Sequence, residues 1–292
     1  VTVIIVDFNG IASSSVVVQK IEIDENLIRH FILNTLRMYN KRFRKDYGRM
    51  VIACDSSTWR REYFPNYKFK RREGRSKDEV EKANWDEIFR IINMIREEIE
   101  ENLPYRVVKV DGAEADDIVG TLALETQEFG KHEPVMIISA DKDFVQLQKF
   151  KNVKQYSPMQ NKFVEDKNPN TYLFEHVLKG DSGDGVPNVL SADDVFVEGN
   201  RQSPVTRKKI DYWAEHAQDL ESVMDATTYR NYMRNKKLID LEEIPTELYH
   251  EIINTYETQE DTPNSRVLKY LISKRCKNLI TDVEDFHQNG CE

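Results

Sequence analysis

Four apolar runs of the sequence lead into clusters of carboxylates. Residues 3–6 end in Asp7, and residues 51–54 end in Asp55. A third run, at 107–110, leads within a few residues to three acids, and a fourth, at 135–140, ends in two more. A last pair lies in a glycine-rich turn. The full candidate set is Asp7, Asp55, Glu114, Asp116, Asp117, Asp141, Asp143, Asp181 and Asp184.

These acids are expected to meet at one edge of a sheet. Short β-branched runs that alternate with helical patterns indicate buried strands of a parallel sheet. Ligand sites in such sheets lie at the carboxyl ends of the strands. So many anions cannot stay ionised together without cations, so the sequence predicts a metal site. Oxygen ligands favour Mg²⁺ or Mn²⁺ over Zn²⁺, and their number favours two ions, as in phosphodiester cleavage.

Each acid taken alone has an ordinary structural explanation. Asp7 and Asp55 could start turns or cap helices, and the acids at 114–117 complement a helix dipole. These roles do not explain why all of them lie at the same predicted rim, which favours an enzyme. No serine nucleophile motif, Walker loop or dinucleotide fingerprint competes. The histidines without an evident partner, which we expect to be structural, are His30, His132 and His176.

One basic segment stands out from an acidic chain. The net charge is −9, from 42 basic and 51 acidic residues, which argues weakly against a nucleic-acid partner. Residues 59–77, however, hold eight basic and two acidic residues with interleaved aromatics. Such a stripe attracts a nucleic-acid backbone, although charged runs are often solvated loops. Its start, four residues after Asp55, favours the nucleic-acid interpretation.

The pattern of elements predicts an α/β protein with a three-layer α/β/α core and a mostly parallel central sheet. Strands are expected near residues 3–6, 50–54, 105–110, 135–140 and 153–156, and helices at 25–46, 79–101 and 114–129. Beyond about residue 165 the pattern becomes mainly helical, with segments at 171–179, 206–216, 220–237 and 245–256. The chain therefore divides into residues 1–165 and residues 166–292.

Composition excludes several classes of protein. Charged residues make up 32% of the chain, and no apolar stretch approaches the roughly 20 residues needed to span a bilayer. The first apolar run is too short for a signal peptide. Cys54, Cys276 and Cys291 form no zinc spacing, and their odd number fits a reducing compartment. We expect a soluble, cytoplasmic protein with no membrane partner.

The chain resembles the flap endonuclease and 5′-3′ exonuclease family, and within it the T-even bacteriophage ribonucleases H. The resemblance covers essentially the whole chain, in the family's order. It is carried by Val6-Asp7-Phe8, Asp55 with the basic run to Arg71, Glu114-Ala115-Asp116-Asp117, residues 138–144, Lys179-Gly180-Asp181 with Asp184, and the phage-like segments 153–159, 197–199 and 238–240.

The resemblance implies a metal-dependent 5′-3′ exonuclease and flap endonuclease. It would act on RNA–DNA hybrid and duplex DNA with ribonuclease H activity, and would remove RNA primers during lagging-strand replication. The nine carboxylates would hold two Mg²⁺ ions, directly or through water, and Mn²⁺ would substitute. The catalytic set would be Lys68, Arg71, Asp116 and Asp141, with Lys68 and Arg71 on the scissile phosphate.

The resemblance also implies how nucleic acid is bound. A helical arch would span about residues 60–100, with 72–82 as the part that the 5′ strand passes. Tyr67 would stack on a terminal base, and the helical domain, residues 166–292, would grip the duplex. The contact candidates are Arg60, Arg61, Tyr67, Lys68, Lys70, Arg71, Arg72, Arg75, Arg207, Lys208 and Lys209.

Two features of the family's pattern concern partners and ions. The family's potassium-binding hairpin contains glycine, whereas residues 189–194 here read Val-Leu-Ser-Ala-Asp-Asp, which argues against a monovalent-ion site. Branched or 5′-ended duplex DNA and RNA–DNA hybrid are the expected partners of a monomer. A replication single-strand-binding protein and a sliding clamp are family expectations for which the chain shows no motif.

Two other interpretations stay open. An acidic-site nuclease of the toxin ribonuclease type would also place aspartates on a parallel sheet, but the basic segment and the helical second half argue against it. A non-catalytic scaffold that binds DNA junctions is the other. A binding protein gains nothing from repelling phosphate with so many anions, so the carboxylates argue against it.

Overall fold

The computed structural model describes residues 2–19, 23–70, 79–127 and 131–291. A six-stranded sheet lies at its centre. Its order is β3-β2-β1-β4-β5-β6, and all neighbours pair in parallel except β5 and β6. The strands are β1 (Val3–Asp7), β2 (Arg49–Ala53), β3 (Arg106–Val108), β4 (Val135–Ile138), β5 (Val153–Ser157) and β6 (Lys162–Val164).

Helices cover both faces of this sheet, so the predicted three-layer α/β/α fold is confirmed. The helices of the first half are α1 (Phe8–Gln19), α2 (Glu25–Tyr47), α3 (Arg60–Tyr63), α4 (Glu79–Asn102) and α5 (Ala115–Glu125). Those of the second half are α6 (Pro169–Lys179), α7 (Arg207–Glu215), α8 (Leu220–Val223), α9 (Ala226–Ile239), α10 (Thr246–Thr258), α11 (Ser265–Ser273) and α12 (Lys277–Ile280). Short 3-10 turns lie at Asp143–Lys149 and Val283–Phe286.

The alternation of β1 shows how the sheet forms two cores. Ile4 and Val6 are buried with apolar residues of α2 and α4, whereas Val3 and Ile5 are buried with those of α5. Successive side chains of a strand point to opposite faces, so an unbroken apolar strand must be covered on both sides. This covering leaves only the strand ends open, and it places the carboxylates that follow the strands at an accessible edge.

Among the described residues, four helices were not predicted from the sequence pattern: α1, α3, α11 and α12. The first of them, α1, begins at Phe8, directly after β1. Gly10 and the β-branched residues at 16–18 are weak helix formers, so helix propensity alone does not predict α1. Burial of Phe8, Ile11 and Ala12 against the sheet stabilises the helix instead.

The helical second half is not one separate layer. Helices α6 to α9 carry apolar clusters of their own, which include Trp213 and Leu238. The chain then returns to the sheet, where Leu248 and Ile252 of α10 join one core and Leu271 of α11 joins the other. Part of the region that we expected to form a helical domain therefore completes the α/β core. None of the helices in the described ranges has the length and apolarity to cross a bilayer.

Candidate active site

The carboxyl edge of the sheet gathers most of the acidic residues singled out in the sequence. Asp7 is the last residue of β1, and residues after β2 and β4 and at the start of α5 supply the others. Oxygen atoms of Asp116, Asp141 and Asp143 lie within 4.8 Å of one another. The acids at this rim are Asp7, Asp55, Glu114, Asp116, Asp117, Asp141 and Asp143.

A chain of hydrogen bonds fixes Asp7 and Asp141. The Ser139 hydroxyl donates to Asp7 Oδ2 at 2.9 Å, and the Asp141 amide donates to the same hydroxyl at 3.1 Å. The Gly10 amide donates to Asp7 Oδ1 at 3.0 Å. A Cβ at Gly10 would lie 2.5 Å from Asp7 Oδ2, so only glycine allows this approach. A cavity of about 300 Å³ opens beside Asp7 and Asp141.

Asp55 is held at the rim by two donors. The Ala115 amide, at the start of α5, donates to Asp55 Oδ1 at 2.8 Å. The Asn9 side chain donates to Asp55 Oδ2 at 2.7 Å. Asp55 is nevertheless exposed, so its carboxylate faces the open side of the rim. The Asp55 carboxylate thus links the start of α1 to the start of α5.

Crowding and burial shift the pKa values of these acids. Burial, reinforced by the charges of Asp55 and Asp141, raises the pKa of Asp7 to about 6. Burial together with Asp141 raises the pKa of Asp143 to about 7. The same two causes raise the pKa of Asp116 well above its ordinary value. Carboxylates that repel each other in this way gain most from a bound cation.

A second group of ligand atoms lies where α6 meets the turn that follows β4. His176 Nδ1 is 3.5 Å from Asp143 Oδ1, and His176 Nε2 is 3.6 Å from Asp181 Oδ2. The expectation that His176 has no partner is therefore wrong. The signal that sequence reasoning missed is its place in the last turn of a helix that ends just before Asp181, with its side chain aimed at the acidic turn.

Asp181 and Asp184 line the same pocket from the loop after α6. The amides of Gly183 and Asp184 donate to Asp181 Oδ1 at 2.7 and 3.1 Å. Hydrogen bonding to His176 holds the pKa of Asp181 below its ordinary value. Both aspartates border the pocket that also contains Asp116 and Asp143.

Asp117 faces away from this cluster, towards a buried arginine. Its carboxylate accepts hydrogen bonds from Arg60 at 2.9 Å, from Trp59 Nε1 at 3.3 Å and from the Glu114 amide at 2.9 Å. Asp117 is 0% exposed and Arg60 only 3% exposed. The expectation that Arg60 contacts nucleic acid is wrong, because its guanidinium lies inside the protein and also donates to the Leu238 carbonyl.

Tyr67 and Lys68 form the basic wall of the pocket. The Tyr67 hydroxyl lies 3.0 Å from Glu114 Oε2 and 2.9 Å from Asp184 Oδ2. Tyr67 is 2% exposed, so the expectation that its ring stacks on a terminal base is wrong as well. Lys68 lies 2.5 Å from Glu114 Oε1 and 3.6 Å from Asp184 Oδ2. Burial opposes its charge, but Asp184 and Glu114 outweigh burial and raise the Lys68 pKa.

Glu114 therefore belongs to the acidic rim and also contacts Tyr67 and Lys68 of the basic wall. Burial alone would raise its pKa, but Lys68 and Arg60 bring that pKa below the ordinary value. The Thr58 hydroxyl donates to Glu114 Oε2 at 2.9 Å and fixes it further. An ionised Glu114 therefore holds Lys68 beside the acidic rim.

The remaining basic candidates are at the surface or outside the described residues. Arg61, Lys70, Lys208 and Lys209 are exposed, and Arg207 is exposed while paired with Glu175. Three of these lie together at the start of α7. The candidates outside the described residues are Arg71, Arg72 and Arg75, and the arch expected at 72–82 lies mostly outside them too.

Comparison with family models gives two consecutive matches. The model "5′-3′ exonuclease, N-terminal resolvase-like domain" matches residues 7–174, more than half of the chain. The model "T4 RNase H, C terminal" matches residues 168–286. The first match covers the rim together with Tyr67 and Lys68, and the second covers His176, Asp181, Asp184 and the helices that follow.

Curated proteins and solved structures agree with these models. Ribonuclease H of Enterobacteria phage T4 is 29% identical over 294 residues, which cover 97% of this chain and 95% of that protein. A 5′-3′ exonuclease of Buchnera aphidicola is 28% identical over 169 residues, 54% of each chain. A structure of T5 5′-exonuclease with zinc ions covers 88% of this chain and 99% of its own, with 18% identity and a TM-score of 0.62, which shows the shared fold.

Proposed function

The chain belongs to the 5′-3′ exonuclease family and is a nuclease, and we propose that it cleaves 5′ ends and flaps with two divalent metal ions. Related proteins support the details. A structure of the bacteriophage T5 flap endonuclease, 18% identical, contains DNA and metal ions. The observation that carries the proposal is the meeting of Asp116, Asp141 and Asp143 at the carboxyl end of a parallel sheet.

The pocket fits divalent cations by the chemistry of its donors. Asp116 and Asp143 are buried beside other carboxylates, and their raised pKa values show how unfavourable their charges are together. Hard oxygen donors of this kind suit Mg²⁺, and Mn²⁺ substitutes readily. We propose that Asp7, Asp55, Asp116 and Asp141 hold one ion and that Asp143, Asp181 and Asp184 hold the other. Two such ions would supply an activated water and would stabilise charge on the phosphate and the leaving oxygen.

Asp117 and Glu114 take different roles in this proposal. Asp117 neutralises Arg60 inside the protein, so it supports the rim and does not ligate a metal directly. Glu114 holds Lys68 and the Tyr67 hydroxyl in place. Lys68 would then donate to the scissile phosphate, where negative charge develops in the transition state. The assignment of Arg71 to the same phosphate stays a prediction.

We propose duplex DNA and RNA–DNA hybrid with free or branched 5′ ends as substrates. The likeness to phage T4 ribonuclease H over 97% of the chain supports the hybrid and a role in removing RNA primers during replication. The exposed cations of α7 lie on the helical part, at the surface where duplex backbone would be held. Single-strand-binding protein and sliding clamp stay proposed partners, and the protein would act as a cytoplasmic monomer.

The decisive experiment removes one carboxylate from the rim. In Mg²⁺, Asp141→Asn is expected to lose cleavage of a 5′-flap and of an RNA–DNA hybrid, while its affinity for both stays close to wild type. Asp46→Asn, an exposed aspartate of α2, is the matched control and should cleave normally. Cleavage by Asp141→Asn at the wild-type rate would refute the proposal.

The same assay separates the alternatives. Single-stranded RNA and a forked duplex are offered side by side to the wild-type protein. Preference for single-stranded RNA would favour a toxin-type ribonuclease. Tight, structure-selective binding without cleavage in Mg²⁺ or Mn²⁺ would favour a junction-binding scaffold. Cleavage of the forked duplex at its 5′ arm supports the proposed function.

A further inference from the structure

A nitrogen donor lies among the oxygen donors of the pocket. His176 is in the last turn of α6, and its side chain is only 16% exposed. Its Nδ1 is buried and makes no hydrogen bond to any residue in the described ranges. The Tyr172 ring, one turn earlier, packs at an angle against the imidazole, with 5.8 Å between ring centroids. The imidazole is therefore held in place beside the acids.

The spacing of the donor atoms suits a shared ion. Two protein atoms that bind one ion at about 2.1 Å each lie roughly 3–3.5 Å apart. His176 Nδ1 is 3.5 Å from Asp143 Oδ1, and Nε2 is 3.6 Å from Asp181 Oδ2. The ligand atoms of all three side chains lie within 4.8 Å of one another. Only small movements would bring them to one ion.

One ring nitrogen of His176 can bind the metal while the other orients the ring through a hydrogen bond. One nitrogen faces each carboxylate, so ligation through either nitrogen leaves the other to donate to the remaining carboxylate. Metal-binding histidines in proteins usually make such a second contact, which fixes the tautomer and the ring orientation. The carboxylate that accepts this hydrogen bond keeps its second oxygen for the ion, so both Asp143 and Asp181 can remain co-ligands.

The ordinary alternative is that His176 acts as a protonated internal cation between two acids. In that state both ring nitrogens carry a proton, and the buried Nδ1 donor would lack a hydrogen bond. Two other cations already neutralise acids of the pocket, since Arg60 pairs with Asp117 and Lys68 with Glu114. In a neutral ring, Nδ1 can instead carry a lone pair. A metal ion bound to that lone pair would leave Nδ1 without an unsatisfied donor.

We propose that His176 is a ligand of the ion held by Asp143 and Asp181, and that it biases this position towards Mn²⁺ and related transition ions over Mg²⁺. Imidazole suits first-row transition metals, whereas Mg²⁺ prefers oxygen ligands and retained waters. This inference rests on the proposed two-metal function and deepens it. It also replaces the expectation from the sequence that oxygen atoms supply all ligands.

The direct test is spectroscopic and uses the wild-type protein with Mn²⁺ alone. Pulsed electron paramagnetic resonance of the Mn²⁺-loaded protein should show coupling to a directly bound imidazole nitrogen. Labelling histidine with ¹⁵N should change that coupling in the expected isotopic ratio. His176→Asn should abolish it, and His250→Asn, an exposed histidine of α10, should leave it intact. Absence of nitrogen coupling in the wild-type spectrum would overturn the inference without any variant.

A calorimetric titration tests the preference between metals. His176→Asn is expected to weaken Mn²⁺ binding at one of two sites by roughly 10- to 100-fold. Its Mg²⁺ affinity should change by less than about threefold. Equal losses for both metals would show a general structural or electrostatic role and would contradict the inference. If His176→Asn does not fold, as judged by circular dichroism, His176→Gln takes its place.

Failure of the inference and failure of the proposed function give different results. If the wild-type protein binds two Mn²⁺ ions and cleaves a 5′-flap but shows no nitrogen coupling, the proposed function stands and His176 is not a ligand. If the wild-type protein binds no divalent metal, or cleaves equally well in chelator, both the function and the ligand assignment are wrong. Nitrogen coupling together with metal-dependent cleavage supports both.

Discussion

Lys68 Nζ lies 2.5 Å from Glu114 Oε1 and 3.6 Å from Asp184 Oδ2, so it joins the acidic rim to the loop that follows α6. The backbone of Lys68 has a φ of 54°, a left-handed conformation that costs energy for any residue other than glycine. Its amide donates to the Asp184 carbonyl at 2.7 Å, which ties this conformation to the loop of metal-ligand candidates. The strained backbone therefore directs a cation into the pocket, where a substrate phosphate would meet it.

Replacement of Lys68 should affect chemistry more than binding. Lys68→Ala removes the positive charge from the developing phosphate charge, so we expect the single-turnover rate to fall by about 10²–10³-fold. Binding of a 5′-flap, measured by fluorescence anisotropy in Ca²⁺, should weaken by much less. Lys45→Ala, an exposed lysine of α2 that is outside the candidate contacts, is the control. A loss of binding that accounts for the whole loss of rate would indicate electrostatic steering instead.

The buried ion pair of Arg60 and Asp117 should contribute to the stability of the fold and not to metal affinity. Asp117→Asn leaves the buried Arg60 charge with Glu114 as its remaining carboxylate partner, so we expect the free energy of unfolding to fall by about 1.5–3 kcal/mol. Urea denaturation in the presence of chelator measures this loss. At a temperature where the variant is folded, calorimetry should still find two Mn²⁺ ions. Loss of one ion with unchanged stability would restore Asp117 as a ligand.

The metal-free protein should become less stable as pH rises from 5 to 8. The raised pKa values of Asp7, about 6, and of Asp143, about 7, mean that the folded chain holds protons that the unfolded chain has already released. A folded state that binds more protons loses stability as pH increases through this window. The neighbouring acids also raise the pKa of His176, which acts in the same direction.

Differential scanning calorimetry in chelator and in Mn²⁺ checks this pH dependence. We expect the Tm in chelator to fall by on the order of 5 °C between pH 5.5 and pH 8. Saturating Mn²⁺ should reverse the trend, because metal binding displaces the protons and grows stronger with pH. Asp143→Asn should flatten the slope in chelator. A Tm that rises with pH in chelator would contradict the assigned shifts.

Neutralising the start of α7 should weaken duplex binding in a salt-dependent manner. Combined replacement of Arg207, Lys208 and Lys209 by Gln removes up to three phosphate contacts, so the plot of log affinity against log salt should become shallower by up to about three units. The rate at saturating substrate should stay near wild type. A control with Lys45, Lys269 and Lys277 replaced by Gln tests for a general charge effect. Equal slopes in both variants would exclude a duplex site on α7.

The sequence alone predicts the sheet and the rim because both depend on local patterns. Apolar runs such as residues 135–138 identify buried strands, and the rule that ligands lie at the carboxyl ends of strands then places Asp7 and Asp141 together. Helix α2 follows from Ile28, Ile32 and Leu36 at helical spacing. The structure adds an N-cap at Asp24, whose side chain accepts from the Leu27 amide at 2.8 Å.

Partners in the tertiary structure could not be predicted in the same way. Arg60 and Tyr67 look like surface residues in a basic segment, yet Arg60 bonds to residues 54 and 57 positions later in the chain. Only the fold reveals that Asp117 is there to neutralise it. His176 is likewise ordinary in sequence, and its role depends on the meeting of α6 with the turn at Asp143.

The return of α10 and α11 to the sheet has a consequence for folding during synthesis. Val267, Leu271 and Phe286 belong to the same buried cluster as Ile4 and Val6 of the first strand. More than 260 residues must therefore be synthesised before this cluster, which β1 already shares with α2 and α4, is complete. Until then the nascent chain would expose the apolar surface that α11 covers, so a ribosome-bound chain would lack part of its core until these last helices are translated.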